Sequence, residues 1–236
     1  MSPTPVDAAE VVAAVERAGR DNPLLGIGTG GDDRPQPTVG ELVDAVGAWL
    51  RTPERRVAAS LVVLGYSARL LGPTLAVMLR DGILLDVRPG QVRYSYAPER
   101  GFSLALAAPA GWRGSPATLH RAWCRDVVDA HLAGLVEAVR AVVPVAPGLL
   151  WGNVASGLAG ALRALVQSGT VPLADCRATG LELLDHGPLR DSGMLTVHSG
   201  QLAFVRRRCC LYYRIEGGGL CGDCALVRRT PAGGLA

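Results

Sequence analysis

The spacing of apolar and polar positions predicts a chain built mainly of helices, with one short change of period in the middle. Thr4, Pro5 and Asp7 read as a helix start, with an N-cap, a proline at the first helical position and an acid three residues after the cap. Asp21–Pro37 is a Gly-, Pro- and Asp-rich loop. Thr38 and Glu41 then form a capping box before the apolar-periodic ELVDAVGAWL. Thr52-Pro53-Glu54 opens the apolar run Val57–Leu79, which reads as two buried helices joined near Gly72-Pro73. Between Gly82 and Ala108 the period falls to two. GILLDV, QVRYSYA and GFSLALAA are predicted as short strands, separated by RPG and PERG turns. Ser115-Pro116 begins a long helix that Pro144 stops after Val143, and a second runs from Pro147 to Ser168-Gly169. A less regular segment follows, ending in DHGPLRDSGMLTVHSGQLAFV. The predicted fold class is α+β: a mostly helical body with a small antiparallel sheet.

Composition changes this picture little. Hydrophobic residues make up 49% of 236, enough for a large core, and all 24 basic residues are arginine. A net charge of +3 without an arginine and aromatic stripe argues against a nucleic-acid partner. Residues 1–20 lack the basic and long apolar regions of a secretory signal, so a cytoplasmic chain with reduced thiols is expected. Val57–Leu79 has the length of a membrane span, but Arg69 lies near its middle and no stable span is expected.

Two motifs lead nowhere. GIGTGG at Gly26–Gly31 has dinucleotide-loop spacing, yet the DDRPQP that follows breaks a helix where one is required. His120, Cys124 and His131 fall on one stripe of a regular helix, but His131 lies too far along to share a metal with the other two. His120 and His131 are read as core polar groups or, with Trp151 and Asn153 at the start of the next helix, as residues of a substrate cleft. Gly152, Ser156 and Gly160 recur every four residues and predict the close approach of another helix.

Chemistry concentrates near the C-terminus, in RRRCCLYYRIEGGGLCGDCAL, where Cys209, Cys210, Cys221 and Cys224 hold four of the six cysteines. Four thiolates suit structural zinc or an iron–sulfur cluster. Cys221 and Cys224 form a C-x-x-C knuckle, but adjacent Cys209 and Cys210 must diverge, which is awkward for one small ion and easier for a 2Fe–2S rhomb with two ligands at each iron. Gly217-Gly218-Gly219 and Gly222 let the backbone turn tightly around such a group. Arg206, Arg207, Arg208 and Arg214 surround the first pair, and Arg228 and Arg229 follow the second. Positive charge there would stabilise the reduced form of an anionic cluster or dock an acidic electron donor. The rival reading is a zinc-stabilised binding module with no redox step. An iron–sulfur sensor would need a DNA-binding helix pair, and none is evident.

The spacing CC-x10-C-x2-C, set in RRxCCLYYR and GGGLCGDC, resembles the ferric-siderophore reductases of the FhuF type. Weaker likeness extends through LLWGNVASGLAGALRAL and the Val57–Ala108 region. The resemblance implies a cytoplasmic enzyme whose 2Fe–2S cluster, held by Cys209, Cys210, Cys221 and Cys224, passes one electron to iron(III) in an imported siderophore, typically a hydroxamate. Iron(II) would then be released. No flavin or nicotinamide motif is present, so an external ferredoxin or flavin/NAD(P)H reductase is implied as donor. The expected division is a body over residues 1–203, carrying a siderophore cleft, and a cluster-binding segment over 204–236 packed on it.

Overall fold

The computed structural model describes residues 3–30 and 35–227. They form an α+β fold in which helices predominate.

The N-terminus departs from expectation. Thr4–Pro5 is a short strand, β1, and Asp7 is the true N-cap of helix α1, Ala8–Asp21, accepting the Ala9 amide at 2.8 Å. Pro5 can sit in β1 because an edge strand tolerates a missing donor. A short 3₁₀ turn, Pro23–Leu25, leads to strand β2, Gly28–Thr29. Within the GIGTGG stretch Gly28–Thr29 is thus a strand, and the next helix, α2, is Val39–Trp49. Its capping box forms as read: Thr38 accepts the Glu41 amide, and Glu41 accepts the Thr38 amide.

Helix α3, Arg55–Asp81, is one element of 27 residues and not two. It runs through Pro73, with the Thr74 hydroxyl donating to the Leu70 carbonyl. The lost amide costs roughly 3 kcal/mol, yet every residue from Leu70 to Met78 is buried, so packing outweighs it. Its neighbour in the core is α6, Pro147–Gln167. At Gly157 the two backbones close in, because a Cβ there would lie 3.2 Å from the Ala68 amide nitrogen. Both helices are long and apolar enough to cross a membrane, but 72% and 78% of their most apolar windows are buried inside the fold. That is the pattern of core helices.

The β structure is split three ways, where the sequence predicted one antiparallel sheet. Strands β3, Ile83–Leu85, and β6, Gly111–Arg113, join β1 in an antiparallel set ordered β1-β6-β3. Strands β4, Val92–Ala97, and β5, Gly101–Leu106, form a hairpin extended by β2, which pairs parallel to β5. The third sheet lies in the segment read as irregular.

Between Ser115 and Val143 the regular helix is interrupted. Helix α4, Pro116–Trp123, passes into wider π-helical turns over Cys124–Leu132 before α5, Ala133–Val142. The stripe drawn at 100° per residue does not survive these turns. After α6 come α7, Leu173–Leu184, and the hairpin of β7, Gly193–His198, with β8, Gln201–Arg206, around a Ser199-Gly200 turn in which both residues have positive φ. Neither element was expected. The expected body boundary after residue 203 falls inside β8.

Candidate metal centre

Strand β8 delivers the chain to the first cysteine pair. Cys210 is buried, and its carbonyl accepts the Ser60 hydroxyl of α3 at 2.7 Å. Cys209 is half-buried, and its sulfur accepts the Leu211 amide at 3.3 Å. The two adjacent sulfurs have different partners, and Leu211 after them takes φ 66°. A 3₁₀ turn, Tyr212–Arg214, then leads into the triple glycine. Gly217 and Gly219 have positive φ, and a Cβ on Gly218 would come within 2.6 Å of the Tyr212 carbonyl. This loop returns Cys221 to within 3.5 Å, sulfur to sulfur, of Cys210. Two thiolates on one tetrahedral ion at about 2.3 Å stand about 3.8 Å apart, so this pair is spaced to share a metal. The Cys224 amide donates to the Cys221 carbonyl at 3.1 Å, closing the C-x-x-C turn, and the Cys224 sulfur accepts the Leu226 amide.

Burial pushes the Cys221 thiol up to about 12, reinforced by its hydrogen bond with Cys210. Burial also raises Cys209, with smaller upward contributions from Cys210 and Cys224, while Arg206 pulls both Cys209 and Cys221 down. The four thiols and Arg206 therefore share one electrostatic neighbourhood. Metal binding must displace protons from these thiols.

Arg206 is the residue that the sequence placed least well. It is only 2% exposed, so it cannot dock a donor. Its guanidinium donates to Asn153 Oδ1 and Ser156 Oγ of α6, both neutral, and forms no ion pair among the described residues. Three buried side-chain atoms among the described residues lack a partner, and Arg206 Nε is the one that carries charge. A buried cation held only by neutral oxygens is costly unless an anion completes it. A cluster bound by four thiolates is such an anion. Its donor set also matches, since Cys210 and Cys221 are spaced as two thiolates on one iron and a binuclear rhomb takes its thiolates two at a time. The residues fit the group.

A polar clamp, not read from the sequence, fixes this segment to the body. Asn153, fully buried, donates from Nδ2 to the Ser60 carbonyl and hydroxyl at 2.7 and 2.8 Å, so Arg206, Asn153, Ser60 and the Cys210 carbonyl form one chain of hydrogen bonds. Arg163 of α6 grips Asp223, inside the C-x-x-C, at 3.0 and 3.4 Å, and the Asp223 carbonyl accepts the Arg206 amide. The small face of α6 thus receives the cluster segment, with Gly152 against the Arg208 carbonyl, and not a helix. The available signal was polar Ser60, Asn153 and Ser156 within apolar helices. Of the other arginines, Arg207 pairs with Asp191 and Arg214 with Glu54, and exposed Arg208 lies over Gly148 at the start of α6. Arg228 and Arg229 lie outside the described residues.

Residues 206–226 match the family model described as FhuF 2Fe-2S C-terminal domain. The segment is a FhuF-type 2Fe–2S domain. Its cofactor is a 2Fe–2S cluster, and the resemblance drawn from the cysteine spacing is borne out. No curated protein and no solved structure matches the chain.

The residues expected to form a substrate cleft are scattered. Asn153 belongs to the clamp of the FhuF segment. His120 Nδ1 meets Glu182 of α7 at 2.7 Å, and Trp151 packs half-buried on the core. His131 is bonded at both nitrogens. The Val87 carbonyl can only accept, so Nδ1 carries the proton and Nε2 accepts from the Tyr66 hydroxyl at 2.8 Å. Cys124 and Cys176 are buried away from the FhuF segment, with burial pushing them up to about 12 and about 11.

Proposed function

We propose that the chain reduces iron(III) held by an imported siderophore of the hydroxamate type, by one electron through its 2Fe–2S cluster, and so frees the metal as iron(II). The match of the four-thiol segment to the FhuF 2Fe–2S domain carries this reading. When bound, a 2Fe–2S cluster supplies one-electron transfer between a donor and an acceptor.

The chain's own residues supply the rest. Cys209, Cys210, Cys221 and Cys224 would hold the cluster. Arg206 sets a fixed positive charge beside it, in a site where water does not screen that charge. Ser60, Asn153 and Arg163 hold the segment against α3 and α6, so the thiols keep their positions as charge changes. Hard hydroxamate oxygens favour iron(III) over iron(II), so adding one electron weakens the chelate. The electron comes from a separate ferredoxin or flavin/NAD(P)H reductase in the cytoplasm, and surface Arg207 and Arg208 supply the charge such an acidic donor would meet.

The test is anaerobic. Iron and acid-labile sulfide are measured, and the dithionite-reduced protein is then mixed with a ferric trihydroxamate and a chromogenic iron(II) trap. Cluster reoxidation in step with iron(II) appearance is the expected result. Serine at any of the four cysteines should abolish it, while Cys124→Ala and Cys176→Ala leave iron and sulfide content intact. Protein without labile sulfide, or reduced protein that passes no electron to the chelate, defeats the proposal.

A further inference from the structure

A cavity of about 590 Å³ opens beside the FhuF segment and has no role so far. One wall is the end of α2, with Trp49 and Leu50, and the floor is the middle of α3, with Leu64 and Ala68. The tip of the β4–β5 hairpin, with Tyr96 and Phe102, faces them. The remaining wall is made by Tyr212 and Ile215–Gly218, the stretch between Cys210 and Cys221. A second cavity of about 300 Å³ shares Leu24, Leu64 and Ala68 with the first and reaches Cys221 and Arg206. A molecule seated in the larger space therefore borders the loop between Cys210 and Cys221, and the smaller cavity leads from it to Cys221.

The lining says what that molecule is. Leu24 is 55% and Trp49 56% exposed, and both face this cleft. Two large apolar side chains left open on one concavity suit an organic ligand, and the volume falls in the usual range for such sites. The ionisable groups on the lining balance, with Arg69 and Arg100 against Glu99 and Glu216. Three hydroxamates, each having lost one proton, neutralise iron(III) and leave an uncharged complex with an apolar outer frame. A tris-catecholate complex is strongly anionic and would call for an arginine excess that this lining lacks.

We propose that this cleft, between α2, α3, the β4–β5 tip and the Tyr212–Gly218 loop, is where an uncharged ferric chelate binds for reduction; the inference rests on the reductase reading above. In the reaction, one electron enters iron(III) and gives iron(II), and the freed hydroxamates take their protons from water. No bond to the protein forms or breaks.

Gallium(III) has the charge and nearly the radius of iron(III) but is not reduced, so its trihydroxamate complex reports binding alone. It is titrated into the cluster-loaded chain and two variants. Ala68→Trp fills the cleft from an exposed position on α3, and Trp49→Ala removes its rim. Affinity should fall about tenfold or more in Ala68→Trp and several-fold in Trp49→Ala, with iron and sulfide content unchanged. The gallium tris-catecholate complex should bind wild type at least about tenfold more weakly than the trihydroxamate. Should Ala68→Trp not fold, Trp49→Ala decides alone. Unchanged trihydroxamate binding in a folded variant overturns the cleft, and if that variant also still reduces the ferric complex, the reductase reading survives. A wild-type chain that transfers no electron to any ferric chelate overturns that reading and the cleft with it.

Discussion

Arg206 lies where sequence and surroundings diverge most. In RRRCC it is one of three arginines in a row, yet β8 turns it inward while Arg207 and Arg208 face solvent. Its charge favours whichever state of its neighbour is more negative. Replacing it in Arg206→Gln should therefore lower the reduction potential by tens of millivolts, whereas Arg207→Gln should leave it nearly unmoved. A redox titration of the loaded variants checks this, and equal shifts would show that Arg206 acts through bulk charge alone. His131 gives a second test at this scale. Burial holds its pKa below the ordinary value, against the opposing bond to Val87. The unfolded chain then binds the proton more readily, so stability is lost as pH falls through about 6.5 toward the lowered folded value. Urea midpoints from pH 7.5 to 5 should drop in wild type, and His131→Gln should remove that share of the slope.

At the level of elements, the contact between α3 and α6 depends on Gly157. A side chain there meets the Ala68 backbone, which cannot rotate away. Gly157→Leu should cost on the order of 1–3 kcal/mol, read as a fall in melting temperature, whereas Gly160→Ala, whose Cβ would stand in ordinary contact with Arg163 at 3.8 Å, should cost little. What the sequence made legible follows from how local each signal is. Thr38 with Glu41, and Ser115 with Pro116, are signals contained within one turn, and both mark helix starts that form. The β7–β8 hairpin is equally local, two alternating runs around Ser199-Gly200, but the Gly- and Pro-bearing approach to it masks the period. Helix α7 was hidden by its inner face of Cys176, Thr179 and Gly180, which carries little apolar contrast. The π-helical turns left no local mark at all. In the site, the four thiols were visible as a cluster of rare residues, but the clamp joins Ser60, Asn153, Arg163 and Arg206 from distant parts of the chain. Only folding brings those together.

Across the whole molecule, the cluster segment and the body hold each other. Phe204 and Arg206, both buried, lie beyond the boundary after residue 203, and Asp223 returns to α6. A chain ending at Ala203 should lose β8 pairing and leave the clamp without its guanidinium, so its urea midpoint should fall well below that of the full chain. An unchanged midpoint would mark residues 1–203 as an independent unit. The cleft, in turn, borrows a wall from Tyr212–Gly218, so a cut at the same place should also abolish binding of the gallium chelate.

The sealed guanidinium has a consequence for the lifetime of the protein. With iron and sulfide in place, its charge is answered; once they are lost, a cation remains among neutral oxygens and the native state weakens. Pulse proteolysis should therefore digest chelator-treated chain faster than loaded chain, and Arg206→Met should narrow the gap. The guanidinium thus ties the stability of the fold to the cluster it faces.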